Sequence, residues 1–145
     1  MDVKLLESDS EIAALCPVLL ELRPQYNTDN LIAQIQKQRG EGYQLAYVEA
    51  EGEVLCVAGF VIGHKLAWEK HIYVDDLVSS AKHRSHGAGA LLIDWLKQHG
   101  VANGCKQLHL DSGVTRHQAH RFYLREHFAI SSHHFAITNL DSESA

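Results

Sequence analysis

The chain lacks a hydrophobic run long enough to cross a membrane. Its longest apolar stretch, residues 54–63 (VLCVAGFVIG), is about half of the roughly 20 residues a span requires. The opening MDVKLLESDSE is charged throughout and has no apolar h-region, so no secretory signal is read. Cysteine is scarce and odd in number. Cys16, Cys56 and Cys105 lie far apart among apolar neighbours, which suits reduced core thiols better than disulfides or zinc. A basic excess is also missing: 13 Lys+Arg face 18 Asp+Glu, a net charge of -5. That argues against a dedicated nucleic-acid binder, and leaves room for a local basic patch holding a phosphorylated small molecule. These absences point to a soluble cytoplasmic protein. Several catalytic signatures are missing too. No G-x-x-x-x-G-K-[ST] is present, which excludes a Walker-type triphosphatase. Gly89 is followed by Ala90, Leu91 and Leu92, so the Rossmann fingerprint is not completed. No H-E-x-x-H occurs, and His83/His86, His117/His120 and His133-His134 have no carboxylates at ligand spacing; no metal is expected.

What remains is an ordinary globular composition. The 145 residues suit one domain, taken as 1–140 with a frayed tail at 141–145. With 46% hydrophobic and 21% charged residues, collagen, coiled coil and full disorder are excluded. Ser8-Asp9-Ser10-Glu11 reads as a capping box. Ile12, Leu15, Leu19 and Leu22 then recur at helical spacing, with Pro17 expected to kink the helix and Arg23-Pro24 to end it. A second helix starts near Thr28 or Asp29, carries Leu31, Ile32 and Ile35, and ends at Gly40 and Gly42. Residues 44–49 and 54–62 predict a hairpin around Glu51-Gly52-Glu53. A polar, mobile connection is expected over 63–70. A third strand over 71–78 places Ile72, Val74, Asp76 and Val78 on one side. The clearest helix spans 88–99, closed by Gly100 or Gly104. A strand at 107–111, a helix at 117–127 and a final strand at 132–138 complete the order α α β β β α β α β. The expected fold is α/β (α+β), a mixed, mostly antiparallel sheet flanked by helices.

The sharpest chemical feature is Arg84-Ser85-His86-Gly87-Ala88-Gly89 between a strand and the strongest amphipathic helix. Gly87 and Gly89 let backbone approach a ligand. The free N–H groups of the first helical turn and its dipole favour phosphate or pyrophosphate, and Arg84 adds a cation. Asp75 and Asp76 end the strand feeding this loop. Neighbours on a strand face opposite ways, so the two should differ in environment, and one serves as a general base or holds a water. Glu69 is a weaker candidate. Ala119 and Tyr123, four apart on the last helix, share a face. A tyrosine beside a small residue suits a proton donor to a leaving thiolate. Trp68 either lines a substrate pocket or anchors a loop.

These residues resemble a known family. Leu77-Val78, a short turn and Arg84-x-x-Gly87-x-Gly89 are similar to motif A of the GNAT N-acetyltransferases, R/Q-x-x-G-x-G/A. Ala119-x-x-x-Tyr123-x-x-x-x-Phe128 resembles that family's C-terminal segment. Arg116 stands where the family often has Asn, and His127 where it often has Gly, a position where a non-glycine residue at positive φ costs some energy. The resemblance implies acetyl-CoA as co-substrate. It implies that backbone of Leu77, Val78 and Ser79 pairs with the pantetheine arm. Arg84, Ser85, His86, Gly87, Ala88, Gly89 and Ala90 hold the pyrophosphate, Ala119 lies on the cofactor side, and Tyr123 protonates the departing thiolate. The reaction implied is direct acetyl transfer to an amine of a small molecule or peptide in a ternary complex. A homodimer is common in the family; no nucleic acid or membrane partner is implied. The general base is not carried over: Asp76 or Asp75 is read from the residues themselves. A non-catalytic acyl-CoA-binding module, a regulatory scaffold and a His-based metal module are the competing readings.

Overall fold

In the computed structural model, which describes residues 1–84 and 87–141, the chain divides into two compact units, 1–110 and 111 onward. The first unit is built on a sheet ordered β1-β2-β3-β4-β5: β1 (Asp2–Leu5), β2 (Tyr43–Ala50), β3 (Glu53–Lys65), β4 (Glu69–Ser79) and β5 (Gln107–Leu110). β1 to β4 are antiparallel in sequence order, and β4–β5 is parallel. The parallel pair needs a crossover, supplied by α3 (Ala88–Ala102).

Helices α1 (Ile12–Leu22) and α2 (Thr28–Arg39) cover one face. Their Ile12, Leu15, Leu19, Leu31 and Ile35 pack with Leu6, Leu45, Tyr47 and Val57 of the sheet side. The capping box forms as expected: the Glu11 carboxylate accepts from the Ser8 N–H at 2.8 Å, ahead of a short 3-10 turn that runs into α1. α1 continues through Pro17 and stops at Arg23, which leaves the helical region (φ -120°, ψ 66°) ahead of Pro24, as a residue before proline is disfavoured there. α3 covers the other face, with Leu92, Ile93 and Leu96 buried and Trp95 and His99 against Phe60. Gly100 lies inside α3; a Cβ there would sit 3.3 Å from Ile72. The glycine that closes the helix is Gly104, at φ 77°. α4 (His117–Arg125) belongs to the second unit.

Four expectations need correction. The sequence reading missed β1, a short strand of alternating exposure against β2. Residues 63–70 are not a mobile connection. β3 and β4 meet there in a tight hairpin, with Lys65 opposite Glu69 and Glu69 at φ 56°. Trp68 anchors this end. Its ring stacks on His109 of β5 at 3.4 Å and lies parallel to Tyr73 at 6.2 Å, and Lys65 Nζ sits 4.0 Å from the ring centroid. Trp68→Ala is expected to cost about 1–2 kcal/mol through lost ring contacts. Native-state hydrogen exchange should place the lost protection in residues 64–71.

In the β3–β4 ladder Phe60 pairs with Val74 and Gly59 with Asp76, so Asp75 is an extra residue in β4. Such a bulge shifts the alternation by one. Ile72 and Val74 therefore face α3, whereas Asp76 and Val78 face the α1–α2 side, not one common side. Finally, no strand forms over 132–138. Those residues find no ladder partner among the described residues, and Phe135 and Ile137 are exposed. Among the described residues, no helix is long and apolar enough to cross a membrane.

Candidate active site

The bulge decides where the carboxylates go. Asp75 and Asp76 both line one cavity of about 270 Å³, between the end of α1, the face of α2 and strands β2 and β4. The opposite-facing arrangement expected for strand neighbours is thus overturned, yet their environments still differ. Asp76 Oδ1 accepts from Arg23 Nε at 2.9 Å and lies 2.9 Å from Arg23 Nη2. Its Oδ2 accepts from the Tyr43 hydroxyl at 2.7 Å. Arg23 Nη2 also donates to the Asp75 carbonyl at 3.1 Å, fastening the bulge to α1. Among the described residues no donor reaches the Asp75 carboxylate, and its residue is exposed at the mouth. Partial burial, then the neighbouring Asp76 charge, raise the Asp75 pKa; Arg23 opposes them. Burial, with the Asp76 charge behind it, pushes the Tyr43 phenol far above its ordinary range, so it stays a donor.

Tyr43 reaches Asp76 only because position 59 has no side chain. A Cβ on Gly59 would overlap the Tyr43 hydroxyl and ring. Arg23, Tyr43 and Gly59 were not picked out from sequence. Arg23 reads there as a helix end and Gly59 as one residue of an apolar strand; only the folded register reveals their common target. Gln25, Gln34 and Gln38 add amides to the cavity wall, above Leu19, Leu31 and Ile35. Glu69 is not part of this site: six residues of strand, about 20 Å, separate it from Asp75.

The second feature lies at the other end of the β4 chain segment. The β4–β5 ladder covers only His71 to Val74 on β4. Beyond it, Leu77, Val78 and Ser79 are laddered to β3 and to no other strand among the described residues, which leaves the opposite backbone edge for an extended partner. A 3-10 turn (Ala81–His83) follows. It is tied down by Glu21 of α1, which accepts from the Ala81 N–H at 2.9 Å, and by the Ser80 N–H donating to the Leu55 carbonyl at 2.8 Å. Arg84 is exposed, with extended backbone. Ser85 and His86 lie outside the described residues. Gly87 caps α3 at φ 80°, a left-handed conformation that favours glycine. The Leu91 N–H bonds back to the Gly87 carbonyl, so the Ala88, Gly89 and Ala90 N–H groups precede the helical ladder and point outward.

In the second unit, Ala119 and Tyr123 share a face of α4, and Tyr123 is buried. The helix closes as a Schellman motif. The Phe128 N–H bonds to the Tyr123 carbonyl at 3.0 Å, and the His127 N–H to Leu124 at 3.1 Å. His127 adopts φ 73°, the positive φ that makes glycine the easier residue there. The Tyr123 and Phe128 rings meet edge-on at 5.7 Å. The cysteines are free; burial pushes the Cys56 thiol up to about 11, far from a nucleophile's range.

A model described as "Acetyltransferase (GNAT) family" matches residues 10–128. Over 135 residues the chain is 28% identical to the uncharacterized N-acetyltransferase YhdJ of Bacillus subtilis (strain 168), covering 92% of this chain and 95% of that one. Among solved structures, aminoglycoside N-acetyltransferase AAC(6')-Iy in complex with CoA superposes with a TM-score of 0.85 at 13% identity, over 96% of this chain and 94% of that one. The ribosomal-protein-alanine N-acetyltransferase of Brucella melitensis biovar Abortus 2308 gives 0.82 at 16% identity, over 95% and 99%. At such identities the structural likeness speaks for the fold, a mixed sheet flanked by helices, as the sequence led us to expect. The family match spans most of the chain and both of its signature segments, and the chain belongs to the GNAT acetyltransferase family.

Proposed function

We propose that this protein is an acetyl-CoA-dependent N-acetyltransferase that acts on a cationic amine by direct attack. The observation that carries the reading is the pair of carboxylates on β4, in an open cavity, on the strand whose next residues ladder on one side only among the described residues. The edge at Leu77, Val78 and Ser79 suits the amide-bearing pantetheine arm. Arg84 and the α3 N–H groups at Ala88, Gly89 and Ala90 suit the pyrophosphate, with Ser85, His86 and Gly87 completing the loop and Ala119 on the cofactor side by the family pattern. The family match crosses residue 110, which supports reading 1–140 as one catalytic domain.

The chemistry needs a neutral amine, since an alkylammonium has no lone pair. A carboxylate of the Asp75–Asp76 pair removes one proton. The amine nitrogen then bonds to the thioester carbonyl carbon, strand N–H groups hold the oxyanion, and the C–S bond breaks. The second amine proton balances the departing thiolate, with Tyr123 as the donor that the family pattern assigns. Arg23 offsets one of the two carboxylates, so the cavity is net anionic and favours a cationic acceptor. Its three glutamines suit an acceptor whose body carries hydroxyls or amides.

Acetyl-CoA at about 100 times its dissociation constant should stabilise the protein by roughly 2.7 kcal/mol. For a domain this size the melting temperature rises by about 5–10 °C. Arg84→Glu should lose most of that rise. No shift in the unmodified protein would sink the reading. A shift without release of the CoA thiol from acetyl-CoA in the presence of spermidine, glucosamine or lysine amide would favour the non-catalytic acyl-CoA-binding module instead.

A further inference from the structure

We infer that the two carboxylates divide the work: Asp75 takes the proton from the acceptor ammonium, and Asp76 is a positioning residue held by Arg23 and Tyr43. The inference rests on the acetyltransferase reading and assigns roles within its acceptor cavity. Both Asp76 oxygens are taken. Oδ1 is bound by Arg23, and Oδ2 accepts from Tyr43, whose ring is seated over Gly59. Protonating Asp76 would break one of these contacts and leave the buried Tyr43 hydroxyl or the guanidinium without its acceptor. Asp75 has no such obligation. It lines the same cavity, its carboxylate meets no donor among the described residues, and the bulge sets it at the mouth, where an acceptor enters.

The clamp also explains how Asp75 is tuned. The charged and titratable groups around it are Arg23 from α1, Tyr26 from the loop after α1, Tyr43 from β2 and Asp76 from β4; α2 presents only the amides of Gln34 and Gln38 and apolar side chains. Burial and the Asp76 charge make Asp75 a better proton acceptor than an ordinary carboxylate. The step balances simply. The ammonium N–H bond breaks, the proton goes to the Asp75 carboxylate, and the nitrogen lone pair forms the bond to the acetyl carbon. On product release Asp75 returns its proton to water.

The test compares Asp75→Asn, Asp76→Asn and Tyr43→Phe, with kcat measured against pH at saturating amine, using whichever of the three amines above is turned over. Asp75→Asn should lower kcat about 10²–10⁴-fold and abolish the low-pH limb, with the acetyl-CoA thermal shift retained. Asp76→Asn should keep that limb and move it to lower pH, since the neighbouring negative charge is gone. Tyr43→Phe should keep the limb with less than about a tenfold loss. A limb that survives in Asp75→Asn and vanishes in Asp76→Asn overturns the assignment. A carboxyl ¹³C NMR titration needs no acceptor and separates this question from the acetyltransferase reading itself. On acidification Asp75 must take up its proton above the ordinary carboxylate value of about 3.9, and an Asp75 carboxyl that titrates at or below that value overturns the assignment whatever the turnover.

Discussion

Gly59→Ala should destabilise the protein by about 3–5 kcal/mol, far more than one methyl group in a strand would suggest. The added Cβ would overlap the Tyr43 hydroxyl and ring carbons, and Cε1 would be only 2.7 Å away. Tyr43 is 6% exposed and has little space to retreat. Overpacking of this kind costs about 1–3 kcal/mol. Losing the hydrogen bond from Tyr43 to an ionised carboxylate adds about 1.5–3 kcal/mol. Part of the two losses overlaps, because moving the ring both relieves the clash and breaks the bond. A double-mutant cycle isolates the cause. In a Tyr43→Ala background, Gly59→Ala should be neutral within about 0.5 kcal/mol, the level expected of independent sites. Urea unfolding of the four proteins gives the answer. A Gly59→Ala single variant as stable as the parent would show that Tyr43 is not seated as described.

This pair of residues also shows what the sequence made legible and what it did not. The glycine loop before α3, the Ala119–Tyr123–Phe128 spacing and the amphipathic helices are local patterns, so motif and periodicity reveal them. The left-handed backbone at His127 belongs to the same class, because the Schellman closure is local to α4. The acceptor cavity is another matter. Arg23 and Asp76 are 53 residues apart, and Tyr43 and Asp76 33 apart. Their meeting depends on strand register and on one extra residue in β4. Strict alternation put Asp76 with Val74; the bulge put it with Val78. The same limit explains the hairpin tip. Residues 63–70 are polar enough to read as loop, but Trp68 finds His109 on β5, a partner that no local pattern announces. At 132–138 the error ran the other way: a strand was expected there, and strand formation requires a ladder partner that local pattern does not supply.

Phe60→Ala should cost about 3–5 kcal/mol, a large share of the 5–15 kcal/mol a domain usually has. Phe60 is fully buried and is the largest such side chain among the described residues. Its ring meets Trp95 at 6.1 Å and His99 at 5.6 Å, both on α3. Gly59 and Phe60 flank the register shift and serve opposite faces: one makes room for the carboxylate clamp, the other seats the helix proposed to hold the pyrophosphate. The variant should therefore bind acetyl-CoA more weakly than its stability loss alone explains, and Phe60→Leu should recover most of both. The loss should also depend on pH. Burial lowers the His99 pKa, so the folded protein resists protonating it. A depressed pKa gives stability that is present above the unfolded value, about 6.5, and is lost as pH falls through that value towards the folded one. Opening a cavity beside His99 admits water and relaxes the depression. The gap between parent and Phe60→Ala should then be widest near pH 7 and narrower below about pH 6, as urea unfolding at the two pH values would read it. An equal gap at both would mean that His99 is no more buried with Phe60 than without it.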